Sequence, residues 1–142
     1  MIKDFEYFYF PVCPTEAISL SGNGALSSPN YPMSNYPASR NCSWIITAPS
    51  GKQVKFAFTE LALGSCAEDA CSSDTCTYVE LYDGDSASFP LLDRFCNGSI
   101  LKDVFSSTNK MFVMFRSGSS LDRGFEGQYS VFLDTQIGRA HV

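Results

Sequence analysis

The chain has little of what catalysis and nucleic-acid binding require. It contains one histidine, His141, and its ten Lys and Arg residues form no run. Activating a nucleophile needs a base beside it, and a phosphate backbone needs clustered cations. The net charge is −5, and no apolar stretch approaches the roughly 18 residues of a membrane span. The composition argues against nucleic acid as a partner and against a membrane span in this sequence.

Cysteine, by contrast, is plentiful. An even number of cysteines among Gly, Ser and Pro turns predicts disulfide bonds and an oxidising compartment. The alternative is a metal site, but the C-x4-C-x4-C spacing of Cys66, Cys71 and Cys76 lacks the C-x2-C pairs of structural zinc and has no histidine nearby. We therefore predict disulfides, no metal and no cofactor. The six cysteines are Cys13, Cys42, Cys66, Cys71, Cys76 and Cys96.

Two glycosylation sequons agree with secretion. Asn41 and Asn97 each begin an N-x-[ST] motif. The segment 1–12 does not form the apolar core of a signal peptide, because acidic residues interrupt its aromatic run. An extracellular location, as a secreted protein or an ectodomain, is therefore inferred from cysteine usage.

The two ends look foreign to the folded domain, which we place at 13–133. Residues 1–12 are interpreted as a flank that packs on the domain, ends a preceding segment or is a false start. Residues 134–142 are a tail, and 137–142, back-translated, read like a sequencing adapter, so they are excluded from fold reasoning. That exclusion removes the only histidine, His141, and with it histidine-dependent catalysis. We expect a fragment of a larger secreted or cell-surface protein.

The folded segment has the pattern of an all-β protein. Short runs with period-two alternation are separated by turn residues, and no long segment shows the spacing of an amphipathic helix. Val54, Phe56 and Phe58 alternate with polar or small residues, as on a half-buried strand. The stretch 110–116 is apolar on both faces, which predicts a central strand covered on both sides. The Gly-Ser-rich stretch 117–120 is interpreted as a hairpin turn.

The chain carries, in order, the motifs GALSSPNYP at 24–32, YP at 36–37, CSWII at 42–46, VELYDG at 79–84, FC at 95–96, SSTN at 106–109, FRS at 115–117 and GFEGQY at 124–129. This series of motifs resembles the CUB domain family. The resemblance implies a jelly-roll-like sandwich of two antiparallel sheets, braced by disulfides. It implies the bond Cys13–Cys42 and a second bond to Cys96. For the second we favour Cys76, which leaves Cys66–Cys71; the alternative is Cys71–Cys96 with Cys66–Cys76.

The resemblance also implies a calcium site, which this sequence does not match. Many members of the family bind calcium through three carboxylates at one end of the sandwich and use that end to grip a lysine of a partner. The corresponding positions here hold Gly64, Thr77 and Gly118. Calcium takes six to eight oxygen ligands, and its affinity depends on their charge. We predict no metal there; the alternative is a displaced site built from Glu68, Asp69, Asp74 and Asp122.

The function that the resemblance implies is protein–protein recognition, not catalysis. The partner would be another extracellular protein or an attached domain. The candidate binding surface comprises Tyr31, Tyr36, Glu68, Asp69 and Asp74, although loop tyrosines more often pack against the end of the sandwich. The alternatives are a carbohydrate-binding module similar to spermadhesins, with a glycan as partner, and a non-catalytic accessory domain of an extracellular protease.

Overall fold

A computed structural model describes residues 13–65, 71 and 76–133 of the chain. Within these residues the structure has nine strands and no helix, hence no helix long and apolar enough to cross a membrane. The flank 1–12, the tail 134–142, Cys66 and the loop acids Glu68, Asp69 and Asp74 lie outside the described residues. The strands are β1 Ile18–Ser21, β2 Gly24–Ser27, β3 Asn41–Thr47, β4 Lys52–Ala62, β5 Tyr78–Tyr82, β6 Leu91–Phe95, β7 Val104–Phe105, β8 Lys110–Arg116 and β9 Gly124–Leu133.

The strands form two sheets packed face to face. A five-stranded sheet has the order β1-β3-β8-β5-β6, and a four-stranded sheet has the order β2-β9-β4-β7. All neighbouring strands are antiparallel except β1 and β3, which are parallel. The predicted all-β sandwich is confirmed. The stretch 117–120 is not a hairpin turn, because it connects β8 of one sheet to β9 of the other.

Alternation along the strands builds the core between the sheets. The prediction that 110–116 is a central strand is confirmed: Met111, Val113 and Phe115 face the core with no exposed surface. Its other face is only half-buried, because Phe112 and Met114 line a cavity on the outer side of the sheet. The strand is therefore covered fully on one side and partly on the other.

Aromatic rings join the two sheets. Phe58 of β4 contacts Phe95 of β6 edge to face at 4.9 Å between ring centroids, and Trp44 of β3 contacts Phe125 of β9 at 6.0 Å. Burying a side chain of this size contributes roughly 1.5–3 kcal/mol, and edge-to-face contact adds a further fraction. The alternation of large apolar residues read from the sequence is what brings these rings together.

The disulfides correct one expectation. Cys13 is bonded to Cys42, as the resemblance implies, with the Cα atoms 5.1 Å apart. Cys96 is bonded to Cys71 and not to Cys76, so the favoured pairing is wrong and the alternative holds for this bond. Cys96 follows the core residue Phe95, so its side chain points to the outer face of the five-stranded sheet, where Cys71 lies. Cys76 is also disulfide-bonded, and no described cysteine is free.

Candidate functional site

The fold brings the three expected calcium positions to one end of the sandwich. Gly64 follows the end of β4, Thr77 precedes the start of β5 and Gly118 follows the end of β8. Two further residues, Tyr36 and Ser120, reach the same end. These five residues form a cluster that we call the neutral network.

Hydrogen bonds connect every member of the neutral network. The Tyr36 hydroxyl accepts from the Gly64 N–H at 2.7 Å and donates to the Ser120 carbonyl at 3.0 Å. The Thr77 hydroxyl accepts from the Gly118 N–H at 2.9 Å and donates to the same carbonyl at 3.3 Å. Both hydroxyls therefore bridge a backbone donor and a backbone acceptor, which satisfies groups whose burial would otherwise be costly.

Gly64 has no room for a side chain. A Cβ atom at this position would lie 2.1 Å from the Ser120 carbonyl oxygen, which is backbone and has little freedom to move. At the position where the resemblance implies a carboxylate, this chain instead has a close contact between the backbone of Gly64 and that of Ser120. Sequence reasoning identified the missing acid but not this contact, because only the fold brings positions 64 and 120 together.

The residues of the neutral network do not fit a calcium ion. Calcium prefers several carboxylate oxygens, whereas the network is uncharged and its Ser120 carbonyl already accepts two hydrogen bonds. Asp122, one of the acids of the alternative site, accepts a hydrogen bond from the Arg123 N–H at 2.7 Å. Across the described ranges, no three His, Cys, Asp or Glu residues are grouped as a metal would require.

Tyr36 does not belong to a binding surface. Its side chain has no exposed area and packs edge to face against Phe115 at 5.3 Å between ring centroids. The prediction of Tyr36 as a candidate surface residue is therefore wrong, since both its ring and its hydroxyl are used inside the sandwich. Tyr31, the other candidate tyrosine, remains half-exposed.

Tyr31 belongs to a small charged cluster that the sequence did not reveal. Its hydroxyl donates to the Glu60 carboxylate, and Arg123 donates to the same carboxylate at 3.0 Å. The Arg123 guanidinium also lies over the Tyr31 ring, 5.6 Å from its centroid. The hydrogen bond to Glu60 raises the pKa of Tyr31, and the same bond lowers the pKa of Glu60. The three side chains thus hold one another in place at the surface.

A second cluster lies on the outer face of the five-stranded sheet. Glu80 is only 3% exposed and pairs with Arg94, whose Nε donates to the carboxylate at 2.8 Å. Arg94 also donates to the Cys71 carbonyl at 2.9 Å and stacks over the Tyr78 ring at 4.5 Å. The Tyr82 hydroxyl donates to Glu80 at 2.7 Å, and burial, followed by this bond, raises the pKa of Tyr82 to about 12. The cluster, together with the Cys71–Cys96 bond, attaches Cys71 to the sheet.

The two sequon asparagines lie at the same end as the neutral network. Asn41 is the first residue of β3 and Asn97 follows β6, and both are exposed. Three strand spacings of about 4.8 Å separate β3 from β6, so the two positions are roughly 14 Å apart across the sheet. Their glycosylation stays a prediction.

The two sheets pack face to face, and the disulfides Cys13–Cys42 and Cys71–Cys96 are attached to β3 and to the end of β6 in the five-stranded sheet. Such a disulfide-braced β-sandwich is typical of extracellular proteins. The profile of the CUB domain matches residues 13–129. The chain therefore belongs to the CUB domain family. CUB domains are non-catalytic accessory modules.

Among known proteins, the chain is similar to human Tolloid-like protein 1, with 36% identity over 111 residues, which are 78% of this chain and 10% of that protein. It is 34% identical over 110 residues to cubilin of Sus scrofa, covering 77% of this chain and 3% of cubilin. Among solved structures, the full extracellular region of zebrafish Gpr126/Adgrg6 superposes with a TM-score of 0.68 at 28% identity, covering 82% of this chain and 15% of that one. The chain thus spans a tenth or less of the length of these curated relatives.

Proposed function

We propose that this chain is an extracellular protein-recognition module that acts without calcium. The observation that supports the calcium-independent part is the neutral network. Hydrogen bonds among uncharged groups join the loops after β4 and β8 to the start of β5. An end braced in this way needs no ion to hold its loops in position.

The surface best suited to a partner lies beside this network. It consists of the Tyr31, Glu60 and Arg123 cluster together with Met33 and Leu121, and we call it the Tyr31 surface. Met33 is 89% exposed and Leu121 is 43% exposed. Tyrosine and arginine are enriched among the residues that dominate binding energy, and side chains already held in place lose less entropy on binding. The surface combines such anchors with exposed apolar side chains.

An extracellular setting is supported by the disulfides and by the relatives. Disulfides persist in oxidising compartments. The similar zebrafish structure is an extracellular region, and the matched segment is a small part of each long relative. We therefore place this module in a larger extracellular protein, as a domain that positions a partner or a neighbouring domain.

The proposal is tested by screening the immobilised 142-residue chain against purified ectodomains, once with millimolar calcium and once with chelator. We expect the same proteins to be retained in both conditions and the melting temperatures to coincide. The double variant Tyr31→Ala, Arg123→Ala should weaken retention about tenfold or more. Lys55→Ala is the matched control, since Lys55 is an exposed cation paired with Asp103 on another face.

Retention seen only with calcium would reject calcium independence. Retention of no protein, or retention that the double variant leaves unchanged, would reject recognition through the Tyr31 surface.

A further inference from the structure

The outer face of the five-stranded sheet carries a row of apolar side chains. Ile45 of β3 is the register partner of Phe112 of β8, and Phe112 is also the partner of Tyr82 of β5. Tyr82 in turn pairs with Leu91 of β6. Register partners point to the same face of a sheet, so these side chains cross four neighbouring strands. With strands about 4.8 Å apart, the row is roughly 14 Å long. We call it the outer row.

The middle of the other outer face is different. On the four-stranded sheet, Lys55 of β4 pairs with Ser130 of β9, and Ala57 pairs with Gln128. Antiparallel sheets that face water on one side usually carry polar residues there, as this sheet does. The outer row lacks this polarity, although Leu91 at its end is 49% exposed. An apolar row on an outer face is typical of a surface that a further layer covers.

The described part of the chain begins at Cys13, beside the outer row. Cys13 is bonded to Cys42, the second residue of β3. Cys13, Phe112 and Met114 line one cavity of about 450 Å³ on this face of the sheet. The residues that precede Cys13 in the sequence are therefore attached to the domain at the wall of this cavity.

The flank before this cysteine has the composition of a segment that gains from packing on an apolar face. Five of the six residues in 5–10 are aromatic. Burying a side chain of this size contributes roughly 1.5–3 kcal/mol. The flank also carries Asp4 and Glu6, whose charge is opposite to that of Lys110 and Arg116 at the two ends of β8. Both cations share the outward face of that strand, because side chains alternate between the two faces.

The run 5–10 is long enough to reach the outer row. Asn41 is the register partner of Arg116 and is followed by the cysteine that bonds Cys13, so Cys13 lies near the level of Arg116. From Arg116 to Phe112 is four residues along β8, about 13 Å. The run precedes Cys13 by three to eight positions, which corresponds to roughly 10–26 Å of extended chain.

We propose that the aromatic run 5–10 packs on the outer row and adds a layer over the five-stranded sheet. Attachment through the Cys13–Cys42 bond makes this packing intramolecular. The high effective concentration of a short tether favours the run over a second copy of the chain or a separate protein. The packing does not depend on the proposed protein recognition, which uses the Tyr31 surface at the end of the sandwich.

Chymotrypsin, which cleaves after aromatic residues, tests the packing in the full chain. Cleavage within 5–10, located by mass spectrometry, should be roughly tenfold slower than in a free peptide of residues 1–12, because proteolysis follows the population of the undocked segment. Phe112→Ser removes the central ring of the outer row and should raise the rate in the chain to that of the peptide. Ile45→Ser shortens the row at one end and should raise the rate roughly threefold.

Phe132→Ser is the matched control. Phe132 is a half-buried phenylalanine of the four-stranded sheet, and its ring contacts that of Phe105 at 4.8 Å between centroids. The same substitution on this other sheet should leave the cleavage rate within 5–10 unchanged. Melting temperatures well above the assay temperature in every variant ensure that faster cleavage is not a loss of folding.

Three results would overturn the proposal. The first is cleavage of the unmodified chain within 5–10 at the rate of the peptide. The second is a rate in Phe112→Ser that is unchanged or rises no more than in Phe132→Ser. The third is protection that disappears on dilution, which would show that a second copy covers the outer row in place of the run.

Discussion

Buried polar groups at the two ends of this sandwich differ in whether they have hydrogen-bond partners. At the neutral network, the hydroxyls of Tyr36 and Thr77 each bridge a backbone donor and a backbone acceptor. At the opposite end, where β4 and β8 begin, the Oε1 atom of Gln53 is buried and has no hydrogen-bond partner. The hydrogen bonds of the first end stabilise the fold, whereas a buried acceptor without a donor at the other end costs free energy.

The comparison also shows what this domain has in place of acids at the three positions where the resemblance implies calcium ligands. Removing carboxylates alone would leave loops with a gap between them. Here the gap is filled by close approach of the backbone at Gly64 and Ser120, and the Tyr36 hydroxyl spans the two. The same position therefore lacks a carboxylate and makes a direct backbone contact in its place.

The largest effect is expected from introducing an acidic side chain at Gly64. Gly64→Asp would place a Cβ atom 2.1 Å from the Ser120 carbonyl oxygen and a negative charge beside it. We expect destabilisation of about 3 kcal/mol, a fall of roughly 10 °C in melting temperature. Chemical denaturation with and without calcium measures it.

Gly22→Ala is the control for this substitution. Gly22 has a φ of +73° and nothing within 4 Å of a built Cβ, so only backbone strain of about 1 kcal/mol is expected. A Gly64→Asp variant of wild-type stability that gains a calcium-dependent melting temperature would show that a calcium cage persists at this end.

The strands could be predicted from the sequence because they depend on the local alternation of apolar and polar residues. Alternation in β4 and the apolar run of β8 indicate which residues face a core, and both predictions agree with the burial of Val54, Phe56 and Phe115. The resemblance supplied Cys13–Cys42 in the same way, from residues whose spacing the family shares.

The sites were less predictable because they depend on which loops meet. The alternation of β4 places Gln53 on the face opposite Val54, yet the loop after β7 covers it. Tyr36 lies in a Pro- and Ser-rich loop typical of a surface, yet it is drawn into the core by contacts with residues distant in sequence. The pairing of Cys96 with Cys71 follows from the face on which Cys96 lies, which spacing alone did not reveal.

A smaller effect should follow from removing one hydroxyl of the neutral network. Tyr36→Phe leaves the ring in place but deprives the Gly64 N–H and the Ser120 carbonyl of their shared partner. Because the Gly64 N–H is buried, we expect a loss of about 2 kcal/mol in the free energy of unfolding, while the Ser120 carbonyl still accepts from Thr77. Tyr31→Phe removes a phenol whose partner Glu60 lies at the surface and should cost less. Equal losses from both variants, measured by urea unfolding, would contradict the view that the network holds this end together.

The smallest effect is expected in the pH at which the phenols of Tyr82 and Tyr31 ionise. Tyr82, the last residue of β5, has a pKa raised from 10.0 to about 12 by burial and by its bond to Glu80, while Tyr31 near the neutral network has its pKa raised by Glu60. A raised pKa in the folded state means that the neutral phenol stabilises the fold below pH 10.0, and that this contribution is lost as the pH rises through the folded value near 12. Phenolate absorbance against pH should therefore show one late step near pH 12 that disappears in Tyr82→Phe and persists in Tyr31→Phe. The comparison is made above pH 11, about one unit below the expected step. If the absorbance curves of Tyr82→Phe and the unmodified chain coincide there, Tyr82 does not donate to a buried Glu80 as the structure shows.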